Sequence, residues 1–151
     1  MQAATTTEAK PIAKRVPMAL QKVELPHIAA VIPHVLDRLG AIVGRSGDRY
    51  SIQSLIDLIA RGEFQLWVIG DDQVRGVLLT ELFFAPSGKK VCSIRAATGD
   101  AAEGWLHLLP ELEAWAKLEN CHCIEAIARK GWARRLTAYK MTHVVLEKEL
   151  T

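Results

Sequence analysis

The residue types best suited to chemistry gather in the second half of the chain. Residues 97–102, Ala-Ala-Thr-Gly-Asp-Ala-Ala when read from Ala96, separate a strand-like stretch from a helical pattern. A glycine there lets backbone approach a ligand, and N–H groups at a following helix start favour an anion. Arg129, Lys130, Arg134, Arg135 and Lys140 form a basic run with no acidic residue among them. Such a run suits phosphates, nucleic acid or an acidic protein surface, and equally a solvated helix face. Cys121-His122-Cys123 has metal-ligand residue types, but Cys-x-Cys on a strand edge is not a zinc spacing. Cys92 and His107 would have to converge on it as well, so no metal site is expected. Near the start, Lys10, Lys14 and Arg15 lie in a stretch too polar to build a core, which favours binding to a partner.

Periodicity supplies the elements that must position these groups. Trp105, Leu108, Leu109, Leu112, Trp115 and Ala116 recur at spacings of three and four, which predicts a helix over residues 101–118. Pro110 lies inside that pattern at a cost of ~3 kcal/mol, so the helix is expected to kink or to start late. A strand over residues 90–96 and the turn Thr98-Gly99-Asp100 precede it, and a strand over residues 123–128 follows. This βαβ order places the two strands parallel in one sheet, with ligands expected at their carboxyl ends. The other tryptophan-bearing stripes read the same way, and Trp105, Trp115 and Trp132 are taken as core rather than as a ligand platform.

The first half reads as a strand over residues 19–25 and a helix from Pro26 carrying Ile28, Val31, Ile32, Val35, Leu36 and Leu39, ending at Gly40 or near Gly44. A polar loop over residues 45–49 follows. Ser51 then caps a short helix bearing Ile52, Leu55, Ile56 and Ile59, stopped by Gly62. Residues 64–69 and 74–84 form a hairpin about Gly70-Asp71-Asp72, and residues 90–96 add a third antiparallel strand. At the end, residues 131–139 read as a short helix. Residues 142–150 read as a last strand, with Val144, Leu146, Lys148 and Leu150 alternating against His143, Val145, Glu147 and Glu149.

The chain has 151 residues, half of them hydrophobic, which is enough for one domain with a core. With 19 basic against 17 acidic residues there is no strong positive field, so nucleic acid is not the favoured partner, although the basic run leaves it open. The excess is local to residues 1–25, where Lys10, Lys14, Arg15 and Lys22 face Glu8 and Glu24. Three cysteines cannot all pair internally and no leader pattern opens the chain, which predicts a reducing, intracellular setting. No apolar run is read as a membrane span, so a soluble protein is expected. Residues 1–18 form an extended arm and residues 19–151 the domain.

Several words in this order resemble the GCN5-related N-acetyltransferase (GNAT) fold, in particular small GNAT-like proteins of tailed phages and prophages. They are Gly47-Asp48-Arg49-Tyr50, Gln65-Leu66-Trp67-Val68, Trp105-Leu106-His107-Leu108-Leu109, Glu111-Leu112-Glu113-Ala114-Trp115-Ala116, Gly131-Trp132-Ala133-Arg134 and the ending Val144-Val145-Leu146-Glu147-Lys148-Glu149-Leu150. The resemblance implies an α+β fold, a GNAT-type mixed sheet flanked by helices. It implies acetyl-CoA held at the loop after the fourth strand, typically Arg/Gln-x-x-Gly-x-Gly/Ala. Here that loop keeps only Gly99, and Asp100 and Glu103 add negative charge. The cofactor contacts implied are Ala97, Thr98, Gly99 and Ala101, with Arg129 and Arg134 reaching the phosphates. The family's general-acid tyrosine falls on Leu136, with Tyr139 nearby but displaced, and Glu81 and Glu125 are the nearest carboxylates for a general base.

The degraded loop and the missing tyrosine favour a non-catalytic phage or prophage component, a scaffold docked on a larger assembly through its arm. It would be virion-associated or cytoplasmic in a bacterial host, with self-association left open. The alternative is an acetyl-CoA-dependent N-acyltransferase acting on an unidentified amine.

Overall fold

The computed structural model describes residues 16–99 and 105–150. Lys10, Lys14, Arg15 and nearly all of the expected arm lie outside the described residues, as do Asp100, Ala101 and Glu103. In chain order the elements are β1 (Ala19–Lys22), α1 (Ile28–Arg45), α2 (Ile52–Ala60), β2 (Gln65–Gly70), β3 (Val74–Phe84), β4 (Lys90–Gly99), α3 (Leu109–Leu118) and β5 (Cys123–Ala126). Short 3-10 turns occupy Leu25–His27, Leu106–Leu108 and Lys130–Arg134. The strands make one mixed sheet in sequence order. Its first three pairings are antiparallel, and β4 pairs β5 in parallel, as the crossover through α3 requires.

The helices cover both faces. Val35, Leu39 and Ile42 of α1 and Leu55 and Ile59 of α2 bury against Leu66, Val77 and Leu79 on one face. Leu109 and Leu112 of α3 pack with Trp67, Ile69, Leu78 and Ile94 on the other. The segment Leu25–Arg45 is long and apolar enough, by length and composition, to cross a membrane, which the sequence reading passed over. Its stripe of Ile28, Val35, Leu39 and Ile42 is instead buried in the core, while His34 and Asp37 on the opposite side stay exposed. α2 begins as its sequence dictates: the Ser51 hydroxyl accepts from the Ser54 N–H at 3.0 Å, and the Ser54 hydroxyl accepts from the Ser51 N–H at 2.8 Å.

Several expected elements are corrected. α3 starts at Leu109, so Pro110 falls in its first turn, where a missing N–H breaks no intrahelical bond. The anticipated kink is therefore absent and the late start is what occurs. β1 stops at Lys22, ahead of the turn that Pro26 enters. β4 runs on to Gly99, so Thr98 and Gly99 are strand residues paired with Val77 and Gly76 rather than a tight turn. The last helix shrinks to the turn Lys130–Arg134, and residues 142–150 join no ladder. Val144, Val145, Leu146 and Leu150 are exposed there. Alternation states which faces a strand would show, but without a partner edge the backbone groups stay with water.

Trp105 is buried, as expected of a core residue. Trp115 is only half-buried, and meets Trp67 edge-on with ring centroids 4.9 Å apart.

Candidate functional site: a cleft between diverging parallel strands

The β4–β5 ladder ends at Ile94↔Ala126, closed by the Ile127 N–H donating to the Ile94 carbonyl at 3.0 Å. β4 then continues to Gly99 with β3 as its partner, while the chain after β5 turns away. Peptide groups of a strand point alternately to its two sides, so those of residues 95–99 aimed away from β3 face the gap. Arg95 sharpens the divergence: Thr80 pairs with Ile94 and Leu79 with Ala96, so Arg95 is an extra residue, a β-bulge that bends the strand.

The gap widens into a cavity of about 480 Å³ that reaches both faces of the sheet. On the α1/α2 side its wall is Ile42, Arg45, Ser46, Arg49 and Tyr50. On the α3 side it is Trp105, Leu106, Leu109, Trp132 and Leu136. Arg95, Ala96, Ala97 and residues 126–129 form the lips between them. One mouth is thus polar and basic, the other apolar. Arg45, Arg49, Arg95 and Arg129 contribute charge, and no described lining residue is acidic.

Next to the cleft a polar row crosses three strands. Glu81 stands opposite Ser93, and Ser93 opposite Glu125. The Glu81 carboxylate accepts from Arg95 at 2.7 Å, and the Ser93 hydroxyl donates to Glu125 at 3.0 Å. Glu81 is thus paired with a guanidinium one bulge away, whereas Glu125 accepts from a neutral hydroxyl and has no cation as its hydrogen-bond partner among the described residues. Cys92, on the opposite face of β4, has its thiol pushed up to about 12 by burial, which leaves it unreactive at neutral pH.

The other expected site residues separate. Ala97 and Arg129 line the cavity. Thr98 is buried, Arg134 is exposed and outside the wall, and Ala101 lies outside the described residues. Gly99 has a packing function: a Cβ there would sit 2.8 Å from the Trp105 indole nitrogen. Leu136, the residue at the family tyrosine's place, does form part of the wall. Tyr139 does not; its hydroxyl donates to Glu113 at 3.0 Å, and burial and that carboxylate raise its pKa. The sequence reading missed Arg45, Ser46, Arg49 and Tyr50 as site residues. Arginines and an aromatic side chain concentrated in a loop between two amphipathic helices were the available signal.

No protein-family model matches the sequence, and no curated protein matches it. Solved structures do match. An aminoglycoside acetyltransferase from an uncultured soil metagenomic sample, in complex with trehalose, superposes with a TM-score of 0.65 at 13% identity, covering 89% of this chain and 97% of that one. A Trypanosoma brucei acetyltransferase gives 0.62 at 14% identity over 88% and 99% of the two chains. A predicted acetyltransferase from Clostridium acetobutylicum, solved with acetyl-CoA, gives 0.60 at 16% identity over 89% and 96%. The fold is that of the GNAT acetyltransferases. The GNAT likeness lends no support to a phage origin, virion association or a scaffold role.

Proposed function

We propose that this chain is an acetyl-CoA-dependent N-acyltransferase. The observation that carries the reading is the cleft that β4 and β5 leave on parting, with a bulge in the β4 lip and the β4–β5 ladder ended at Ile94 and Ala126. Its residues fit the cofactor: the apolar mouth of Trp105, Leu106, Leu109, Trp132 and Leu136 suits a pantetheine arm, and Arg129 suits a phosphate. When bound, acetyl-CoA supplies an activated acyl carbon. The N–H groups of residues 95–97 that face the gap are donors for the oxygen on which charge develops. Glu125 receives the proton of the attacking amine, directly or through one water. Leu136 has no proton to give, so the proton for the departing sulfur would have to come from water, which an ordinary thiol pKa of about 8.5 would make tolerable. Asp100 and Glu103, near the lone Gly99 in sequence, weaken the attraction for phosphate. Three free cysteines suit the reducing cytoplasm of a bacterial host.

Thiol release from acetyl-CoA over a panel of amines tests the proposal. Turnover is expected, with Glu125→Gln lowering kcat by roughly 10²-fold or more while thermal stability holds. Absence of turnover with every amine, or undiminished kcat in Glu125→Gln, would refute it.

A further inference from the structure

We infer that the amine acceptor carries an anionic group, a carboxylate or a phosphate, held by Arg45 and Arg49 at the α1/α2 mouth of the cleft. This rests on the acyltransferase reading and names the substrate class of that site. The cavity opens on the two faces with opposite character, so its two ligands are told apart by chemistry. The α3 mouth offers indole and leucine surface. The α1/α2 mouth offers the guanidinium groups of Arg45 and Arg49 beside Tyr50, while the Ser46 hydroxyl donates to the Val43 carbonyl and accepts from the Tyr50 N–H. The cavity's other arginines are committed elsewhere: Arg95 is held by Glu81, and Arg129 sits on the β5 side.

A carboxylate already occupies this place. Glu147, from the exposed C-terminal segment, reaches across 98 residues of sequence to Arg49 and pairs with it at 2.7 Å. Both side chains are nearly two-thirds exposed, so the pair is screened and readily exchanged for another anion. It shows the geometry in which Arg49 receives an oxyanion at the mouth. A polycationic acceptor of the aminoglycoside kind, the class named for one structural neighbour, would meet the like charge of Arg45, and the Glu147 carboxylate at this mouth is already paired with Arg49.

In the step so defined the amine nitrogen bonds to the acyl carbon as the carbon–sulfur bond breaks. The products are an N-acetylated anion and coenzyme A, and the amine's surplus proton passes through Glu125 to water. The acceptor's anion stays paired with Arg45 and Arg49 throughout, and so contributes to binding more than to turnover.

The full-length chain is assayed by thiol release with size-matched acceptors: glutamate as an amino carboxylate, phosphoethanolamine as an amino phosphate, and putrescine as a dication. The expected result is kcat/KM at least tenfold higher for one or both anionic amines than for putrescine, and the better of the two identifies the anion. Arg45→Gln and Arg49→Gln are expected to raise the acceptor KM about tenfold, the size of a lost charge-assisted hydrogen bond, and to move the acetyl-CoA KM far less. Glu147→Gln is expected to lower the acceptor KM by freeing Arg49. Preference for putrescine, or an acceptor KM unmoved in both arginine variants, overturns the inference. Calorimetric titration of N-acetylglutamate and N-acetylputrescine without acetyl-CoA keeps this test separate from the acyltransferase reading. Binding of the first alone, lost in Arg49→Gln, supports the anion site even if no turnover is found; failure of both arms removes it.

Discussion

Thr80 shows how single side chains hold the frame on which the cleft depends. Its hydroxyl is fully buried, accepts from the Trp67 indole N–H at 3.0 Å and donates to the Gln65 side-chain oxygen at 2.8 Å. Register makes this possible, since Gln65 lies directly opposite Thr80 in the β2–β3 ladder. Trp67 in turn meets Trp115 edge-on and so seats α3, whose Leu109 is part of the cavity wall. Thr80→Val keeps the volume but leaves a buried indole N–H without an acceptor. Its expected effect is a loss of about 1–3 kcal/mol, read by urea unfolding. A change below about 0.5 kcal/mol, the scale of an ordinary surface substitution, would show that the hydroxyl is not the indole's anchor.

At the scale of elements, β4 decides most. Its last residue, Gly99, runs against Gly76 of β3 and lies beneath Trp105. Gly99→Ala places a methyl group 2.8 Å from the Trp105 indole nitrogen, so Trp105 must move, and with it the α3 mouth. A loss of about 1–3 kcal/mol is expected, as for overpacking, with a shift in tryptophan fluorescence. A variant as stable as the parent would mean that Trp105 does not pack there. How far each element was legible follows its locality. α2 could be read because the Ser51 cap and the Ile52, Leu55, Ile56, Ile59 stripe are neighbours in sequence. The parallel β4–β5 pair could be read because crossover geometry is a rule. The bulge at Arg95 could not, because it exists only in the register with β3. Nor could the fate of residues 142–150, since strand pattern carries no information about a free edge. The basic loop between α1 and α2 was legible as a loop. Its position over the cleft comes from the packing of both helices on the sheet, which no local pattern records.

For the whole molecule, net charge conceals what the cleft displays. A formal excess of +2 over 151 residues suggests no electrostatic preference, yet the described cavity wall holds four arginines and no carboxylate. The resemblance implied the fold, and the solved structures share it. The loop and tyrosine departures argued for lost activity, because those two motifs are where the resemblance puts cofactor binding and the general acid. The structure adds a mark they lack, an open gap between two parallel strands. The central claim is that this gap receives acetyl-CoA. It is tested most directly by calorimetric titration of the full chain beside Ala128→Trp, a substitution at an exposed lip of the cavity that fills the gap without entering the core. Saturable binding at one site by the parent chain, abolished in Ala128→Trp with its melting temperature preserved, is the predicted result. No binding by the parent, or equal binding by both, would contradict it.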